Sequence, residues 1–289
     1  MLEPFVKRSS LPSLATTLAL VSIYAVAPVG ACELYNATRY RHIPEDVELL
    51  FKKIDVLYGH QVWERNENRS YLPSEESVKS AISNFDSSTG MAVLDIEAWP
   101  TRGYHQRNQV IESSVSKYRT LLLWAKQKRP DLKWGLFGRI PTSNYRASLA
   151  ERETDAYALW QKENDRLNSL AKNVDIAFPS VYTYATDPDL WLQSMDGKLA
   201  ELARIYNGPI YPFLWPQYFD HEPAPLEIRT KFLDPKFWEL QLRIACTLTN
   251  GAIIWGGWDF KNEKRMDWDS NAAWWIVTKD LLSELSAKH

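Results

Sequence analysis

Asp95 and Glu97 stand two residues apart in Met91-Ala92-Val93-Leu94-Asp95-Ile96-Glu97-Ala98-Trp99. In an extended strand side chains alternate sides, so Val93, Asp95, Glu97 and Trp99 share one face while Leu94, Ile96 and Ala98 share the other. The second face is wholly apolar and suits packing against helices, which sends both acids inward. Carboxylates at this spacing lie about 6–7 Å apart along a strand. Shielded from water they repel, and one of them gains affinity for a proton. A pair of this kind keeps one acid protonated near neutral pH, as general acid catalysis requires. The same placement also suits an ion pair with an inward Arg or Lys, or a metal ligand.

The geometry of the pair constrains the chemistry further. A double displacement at a glycosidic bond with an enzyme nucleophile needs two carboxyl groups flanking the bond from opposite sides, whereas neighbours on one strand approach from the same side. The spacing therefore favours substrate assistance. Glu97 protonates the leaving oxygen, a 2-acetamido group of the sugar attacks its own anomeric carbon, and Asp95 orients that group.

Short apolar, β-rich runs alternate with longer helical patterns along the chain. Strands are predicted over 54–61, 91–99, 133–139, 174–184, 210–215 and 252–258. Helices are predicted over 109–128, 149–171, 189–206 and 235–249. In the first of these, Val110, Ser114, Tyr118, Leu121, Leu122 and Ala125 form one stripe. Gly208 and Gly251 follow the ends of the last two, where a left-handed exit is expected. The alternation implies an α/β fold, a single (β/α) TIM-type barrel with its site at the C-terminal ends of the strands. Six predicted strands are fewer than eight, so the barrel is expected to be distorted or incomplete, or to hide a seventh strand in the N-terminal region.

The 289 residues suit one domain, and no linker or second repeat interrupts them. A formal charge of −2 without a dense basic run excludes nucleic acid as the expected partner. The 13 Trp and 14 Tyr fall largely near predicted strand ends, where flat apolar rings suit sugar stacking. Lys7, Arg8 and the apolar run 14–27 are spaced as a signal peptide, giving a leader over 1–31 and a barrel over 32–289. Val29-Gly30-Ala31-Cys32 also resembles a lipoprotein processing box, which would place the protein at the cell surface through a lipid on Cys32 rather than free outside the cell. Cys32 and Cys246 are the only cysteines. A bridge between them and a free Cys246 buried in a helix both stay open, the free thiol being favoured. Asn36-Ala37-Thr38 and Asn68-Arg69-Ser70 are glycosylation sequons.

Five segments in order resemble the hyaluronidase family of glycoside hydrolases, and the chain is similar to a short, divergent member. The 92–99 segment resembles the family's catalytic strand, which implies Asp95 as the residue positioning the acetamido group and Glu97 as the proton donor. Trp134-Gly135-Leu136-Phe137-Gly138 resembles the next strand, with Phe137 at an aromatic position of the site. Phe178-Pro179-Ser180-Val181-Tyr182 implies a substrate-binding role for Tyr182. Pro209-Ile210-Tyr211-Pro212, continuing to Tyr218, implies one for Tyr218. Ile253-Ile254-Trp255-Gly256-Gly257-Trp258 resembles the last strand. Of its two tryptophans one is expected to face the pocket, and Trp255 is the choice. The resemblance also offers 23–28 as a first barrel strand, a rival to the leader.

The departures are a short chain, missing cysteine pairs and Pro100 after Trp99. They bear most on the substrate, because the nearby cations Arg102, Arg107 and Arg139 are few and read as solvated charges. The resemblance implies an endo-acting hydrolase, secreted to the extracellular space, of a hyaluronan- or chondroitin-like polysaccharide or oligosaccharide. A barrel acting on another glycan, and a sugar-binding barrel without activity, are the alternatives. No cofactor or metal is implied, no stable protein partner, and no membrane contact except through a lipid on Cys32.

Overall fold

The structure is a computed structural model, and it describes residues 32–103 and 105–287. The expected leader, the lipoprotein box before Cys32 and the rival strand at 23–28 lie outside the described residues. The first strand, β1, is Glu33–Asn36, directly after Cys32. β2 (Asp55–Tyr58), β3 (Met91–Asp95), β4 (Lys133–Leu136), β5 (Phe213–Leu214) and β6 (Gly251–Ile254) follow. Between and after them lie α1 (Glu45–Leu50), α2 (Glu75–Ala81), α3 (Asn108–Lys128), α4 (Asp155–Asp165), α5 (Pro188–Ile205), α6 (Pro235–Leu248) and α7 (Ala273–Ser286).

The strands pair in parallel as two sheets, β2-β3-β4 and β1-β6-β5. Isolated bridges join the sheets into a ring. On one side Asn36 pairs with Lys53, its N–H donating to Lys52 O at 2.7 Å and its carbonyl accepting from Ile54 N at 3.0 Å. On the other side residues 176–180 run between β4 and β5, with bridges from Phe178 to Phe137, Ala177 to Ile210 and Ser180 to Phe213. The result is a distorted (β/α) barrel whose first strand supplies the expected seventh member.

The 176–184 segment is extended but forms no regular strand, and its hydrogen bonds give the reason. Lys198 Nζ on α5 donates to Ser180 O at 2.8 Å, Trp191 Nε1 to Val181 O at 2.8 Å, and Gln241 Nε2 on α6 to the Thr183 hydroxyl at 2.8 Å. Side chains of the outer helices thus occupy the Ser180 and Val181 carbonyls, which a ladder would otherwise use. Lys198 is buried, which pushes its ammonium down to about 7. Gly135 makes the approach of β4 to this segment possible, since a Cβ there would stand 2.2 Å from Ile176 O.

Alternation along the strands separates three apolar layers. Tyr35, Met91, Val93, Phe213 and Ile253 point into the ring with Ile176 and Phe178. Ala92, Leu94 and Leu136 pack outward against Val78 of α2 and Tyr118 and Leu121 of α3. Leu34, Leu214, Ala252 and Ile254 pack outward against Trp191 of α5, Trp238 and Leu242 of α6, and Trp274 and Leu281 of α7. The ring is a packed core closed at its lower end, where Tyr211 Oη donates to Glu33 Oε2 at 2.9 Å and stands edge-on to Tyr35.

Several expectations need correction. The stripe of α3 runs through Ile111, not Val110, which is exposed. The 149–171 helix is divided into α4 and two single turns, Tyr145–Ser148 and Asn168–Ala171. α5 leaves through an extended Tyr206 rather than a left-handed glycine. Gly251 (φ +158°) serves the sheet instead, as a Cβ there would meet Glu33 O at 2.0 Å. Cys246 is not a free thiol. It forms a disulfide with Cys32 across a Cα separation of 5.1 Å, which ties the start of β1 to α6 and leaves no Cys32 sulfur for a lipid. Of the two sequons, Asn36 is 3% exposed and its Oδ1 accepts from Thr38 N and Oγ1, whereas Asn68 lies on an exposed turn.

The disulfide closes a span of 214 residues and ties to α6 a strand that, among the described residues, is bridged on its other side at Asn36. Replacing both cysteines by serine is expected to cost about 2–5 kcal/mol. Denaturant unfolding of the double variant against the oxidised wild type measures it.

Candidate active site

β3 ends at Asp95, the residue in register with Tyr58 at the end of β2. Val93, two residues earlier, is inside the ring, so Asp95 continues the inner face at its C-terminal mouth. The carboxyl group is half-buried, and its proton affinity is pushed up to about 7. Loss of water is the first cause and the neighbouring Glu97 carboxylate the second, while Arg139 and Arg39 pull in the opposite direction.

Glu97 lies beyond the strand and is 65% exposed. Its Oε1 accepts from Arg139 Nη2 at 2.9 Å. Arg139, expected as a solvated charge, is only 14% exposed, with its guanidinium 5.6 Å from the Tyr118 ring centre and its buried Nε lacking a protein partner. The anticipated alternation stops where the strand stops. Trp99 turns outward, where its ring stands edge-on to Trp63 and Tyr118 and its Nε1 donates to Arg69 O at 2.9 Å.

Aromatic rings wall the mouth. Tyr182 lies 5.9 Å from Phe137, 5.5 Å from Trp215 and 6.2 Å from Trp255, centre to centre. Burial pushes the Tyr182 hydroxyl up, and Asp95 adds to the effect. The structure thus brings Phe137, Tyr182 and Trp255 together around Asp95. It does not bring Tyr218 to them: that ring packs in the outer layer with Val181, Trp191 and Leu214, and the adjacent Phe219 takes the inner position, 6.0 Å from Tyr182. The bridge from Thr183 to Tyr218 sets this phase.

Two further residues join the site. The indole N–H of Trp255 donates to the hydroxyl of Tyr58, and the Asp95 charge acts on that same hydroxyl. Arg39, in the turn after β1, places its guanidinium 4.9 Å from the Tyr58 ring centre and 4.4 Å from that of Trp258. Tyr58 lies in the middle of the predicted strand 54–61, where nothing local marks it as level with Asp95; Arg39 likewise carried no signal. Among the described residues no group of three or more His, Cys, Asp or Glu side chains could hold a metal ion, and no helix is long and apolar enough to cross a membrane.

Known hyaluronidases are similar to this chain in sequence and in fold. The hyaluronidase of Polybia paulista is 31% identical over 138 residues, 46% of this chain and 45% of that relative. The salivary hyaluronidase of Lutzomyia longipalpis is 22% identical over 305 aligned positions, covering 81% of this chain and 79% of the relative. Bee venom hyaluronidase, crystallised with a hyaluronic acid tetramer, superposes over 89% of this chain and 96% of its own, with a TM-score of 0.55 at 17% identity. The likeness to hyaluronidases thus holds in sequence and in fold alike. No protein-family model matches it. The chain spans less than half the length of the Polybia paulista relative, and at 17% identity the superposition speaks for the hyaluronidase barrel alone.

The electrostatics of this hyaluronidase-type mouth can be read directly. Asp95 is expected to titrate near 7 by carboxyl NMR, higher in Arg139→Gln, where an opposing cation is lost, and lower in Glu97→Gln, where the repelling charge is lost. An aspartate in an unfolded chain titrates near ~3.9. The folded state therefore binds the extra proton between about 4 and 7, and stability falls as pH rises through that window. Asp95→Asn should accordingly raise the thermal midpoint relative to wild type at pH 8 and leave it nearly unchanged at pH 4, as calorimetry at the two pH values would register.

Proposed function

We propose that the protein is an endo-acting glycoside hydrolase that cleaves an N-acetylhexosamine-containing, hyaluronan- or chondroitin-like glycan outside the cell, by substrate-assisted hydrolysis with retention. The observation that carries this reading is the pair of carboxyl groups of Asp95 and Glu97 at the mouth of an aromatic-walled barrel, where burial and the Glu97 charge push Asp95 up to about 7. Asp95 ends β3 and Glu97 follows only two residues later, close enough for its charge to act on Asp95, which argues against the two acids flanking a bond as nucleophile and acid. The nucleophile is then the carbonyl oxygen of the sugar's own acetamido group.

In this mechanism Glu97, the exposed member of the pair, gives a proton to the glycosidic oxygen as its bond to the anomeric carbon breaks. The acetamido oxygen forms the new bond to that carbon from the opposite face. Asp95 accepts from the acetamido N–H and stabilises the positive charge that develops on the ring. Water then opens the oxazolinium, returning a proton to Glu97 and retaining configuration. Tyr58 and Tyr182 border the same space, and Phe137 and Trp255 offer ring faces to the sugars. Substrate displaces Glu97 from Arg139, its partner in the free site. The disulfide between Cys32 and Cys246 suits an oxidising, extracellular compartment.

The ion pair of Glu97 with Arg139 is the one feature favouring a second reading, a barrel that binds sugar without turning it over. Incubation of the protein with hyaluronan, chondroitin and chitin-type oligomers, followed by assay of new reducing ends, separates the two. Glu97→Gln is expected to lower kcat by roughly 100-fold to 10,000-fold with KM little changed. Unchanged turnover in that variant would remove Glu97 from its role. Sugar affinity without cleavage by the wild type would establish the binding barrel.

A further inference from the structure

The two glycosylation triplets, Asn36-Ala37-Thr38 and Asn68-Arg69-Ser70, are equivalent as sequence, and the fold makes them unlike. Asn36 is 3% exposed at the seam where β1 is bridged to β2. Its Oδ1 accepts from Thr38 N at 2.8 Å and from Thr38 Oγ1 at 2.7 Å, while its backbone bonds to Lys52 O and Ile54 N. The hydroxyl of the triplet is thus turned back onto the asparagine itself. A side chain so enclosed has no room for a bulky branched substituent, and a chain modified there cannot close β1 against β2.

Asn68 is exposed, in the loop that follows β2. Two consecutive turns build this loop: Glu67 N donates to Glu64 O at 3.1 Å, and Tyr71 N to Asn68 O at 3.2 Å. It is pinned to the body of the protein by Trp99 Nε1, which donates to Arg69 O at 2.9 Å, and by Lys117 Nζ of α3, which donates to Ser70 O at 2.7 Å. Each of these bonds uses a main-chain carbonyl and leaves the side chain of Asn68 alone. Its Oδ1 accepts from Ser70 N at 3.0 Å, and among the described residues its Nδ2 makes no hydrogen bond. A substituent on that nitrogen therefore breaks no existing contact. An open groove of about 360 Å³, lined by Ser70, Trp99, Pro100, Val110 and Lys117, adjoins the turn, and Tyr71 and Val110 are exposed beside it. Sugars leaving Asn68 meet open space and uncovered apolar surface instead of packed protein.

The disulfide between Cys32 and Cys246 is an independent observation that points the same way. Such bonds form in the lumen of the endoplasmic reticulum, the compartment in which a eukaryotic cell also attaches sugars to asparagine.

We propose that Asn68 is an N-glycosylation site, and that Asn36 is unmodified in the folded protein although its triplet is intact. The donor is an oligosaccharide carried on a polyprenyl pyrophosphate. Nδ2 of Asn68 forms a bond to the anomeric carbon of the first sugar as the bond from that carbon to the pyrophosphate oxygen breaks. The lipid pyrophosphate leaves with the electron pair, and Nδ2 releases one proton. Because the loop follows the C-terminal end of β2, the glycan stands on the mouth side of the barrel, beside the outward-facing Trp99 and apart from the rings around Asp95.

The test is secretion of the full chain from eukaryotic cells, followed by intact-mass measurement before and after an amidase that releases N-linked glycans and converts the modified asparagine to aspartate. Wild type is expected to carry one glycan, and peptide mapping after the amidase to find aspartate at 68 and asparagine at 36. Asn68→Gln and Ser70→Ala, both at exposed positions, are expected to be secreted without the glycan, whereas Thr38→Val keeps it. Should Thr38→Val fail to fold, the map of the wild type decides the same question without a variant. A wild type secreted with no glycan overturns the assignment, as does a glycan that persists in Ser70→Ala. Aspartate at 36 after the amidase overturns the exclusion of Asn36.

Discussion

The free energy of an aspartate in a place where its charge is poorly solvated is the constraint on which this molecule turns. Asp95 ends a strand inside a ring, Glu97 repels it from two residues away, and only Arg139 and Arg39 act in the other direction. Nothing in the aspartate itself makes this stable. Leu94 and Ile96, packed outward with Trp134, Tyr118 and Leu121, hold the strand in the one register that keeps Asp95 inside. A slip by a single residue would exchange Asp95 with Leu94 and place a carboxylate under the helices. The apolar outer face of β3 is thus as necessary to the chemistry as the acids are.

How much of this was legible depended on whether the signal was local. The inward direction of Asp95 follows from five residues of alternating pattern, and the barrel from the spacing of such runs. Phe137, Tyr182 and Trp255 also fall where motif and strand end coincide. Trp99 and Tyr218 do not. The first lies four residues beyond the true end of β3, where the period of two no longer applies. The second follows an irregular stretch in which one residue of phase exchanges Tyr218 for Phe219. Neither error is one of composition; both come from extending a periodicity past the hydrogen bonds that enforce it.

The residues that no local pattern could reveal are those whose partners are distant in the chain. Cys32 meets Cys246 across 214 residues only because β1 pairs with β6. Arg39 finds Trp258 for the same reason, the two lying three and four residues past the strand ends that the pairing aligns. Two cysteines or a lone arginine in a turn say nothing of this in isolation. Once β1 is in register with β6, however, both contacts become necessary consequences of it.

The seam between β1 and β2 shows how a short stretch of missing pairing opens the wall of the ring. β1 and β2 meet at Asn36 alone, where the backbone makes its two hydrogen bonds and the side chain turns back to hold Thr38. A full ladder there would carry residues 37–40 along β2 and seal the barrel wall. Because pairing stops after one residue, the chain is free to swing toward the loop after β6, and the gap that remains is the cavity lined by Arg39 and Tyr58. The weakest closure in the ring is therefore where a cavity opens beside Tyr58, the residue in register with Asp95. The disulfide at the start of β1 and the glycine contact at Tyr40 hold the strand on either side of that gap, so the opening does not depend on loosening the barrel.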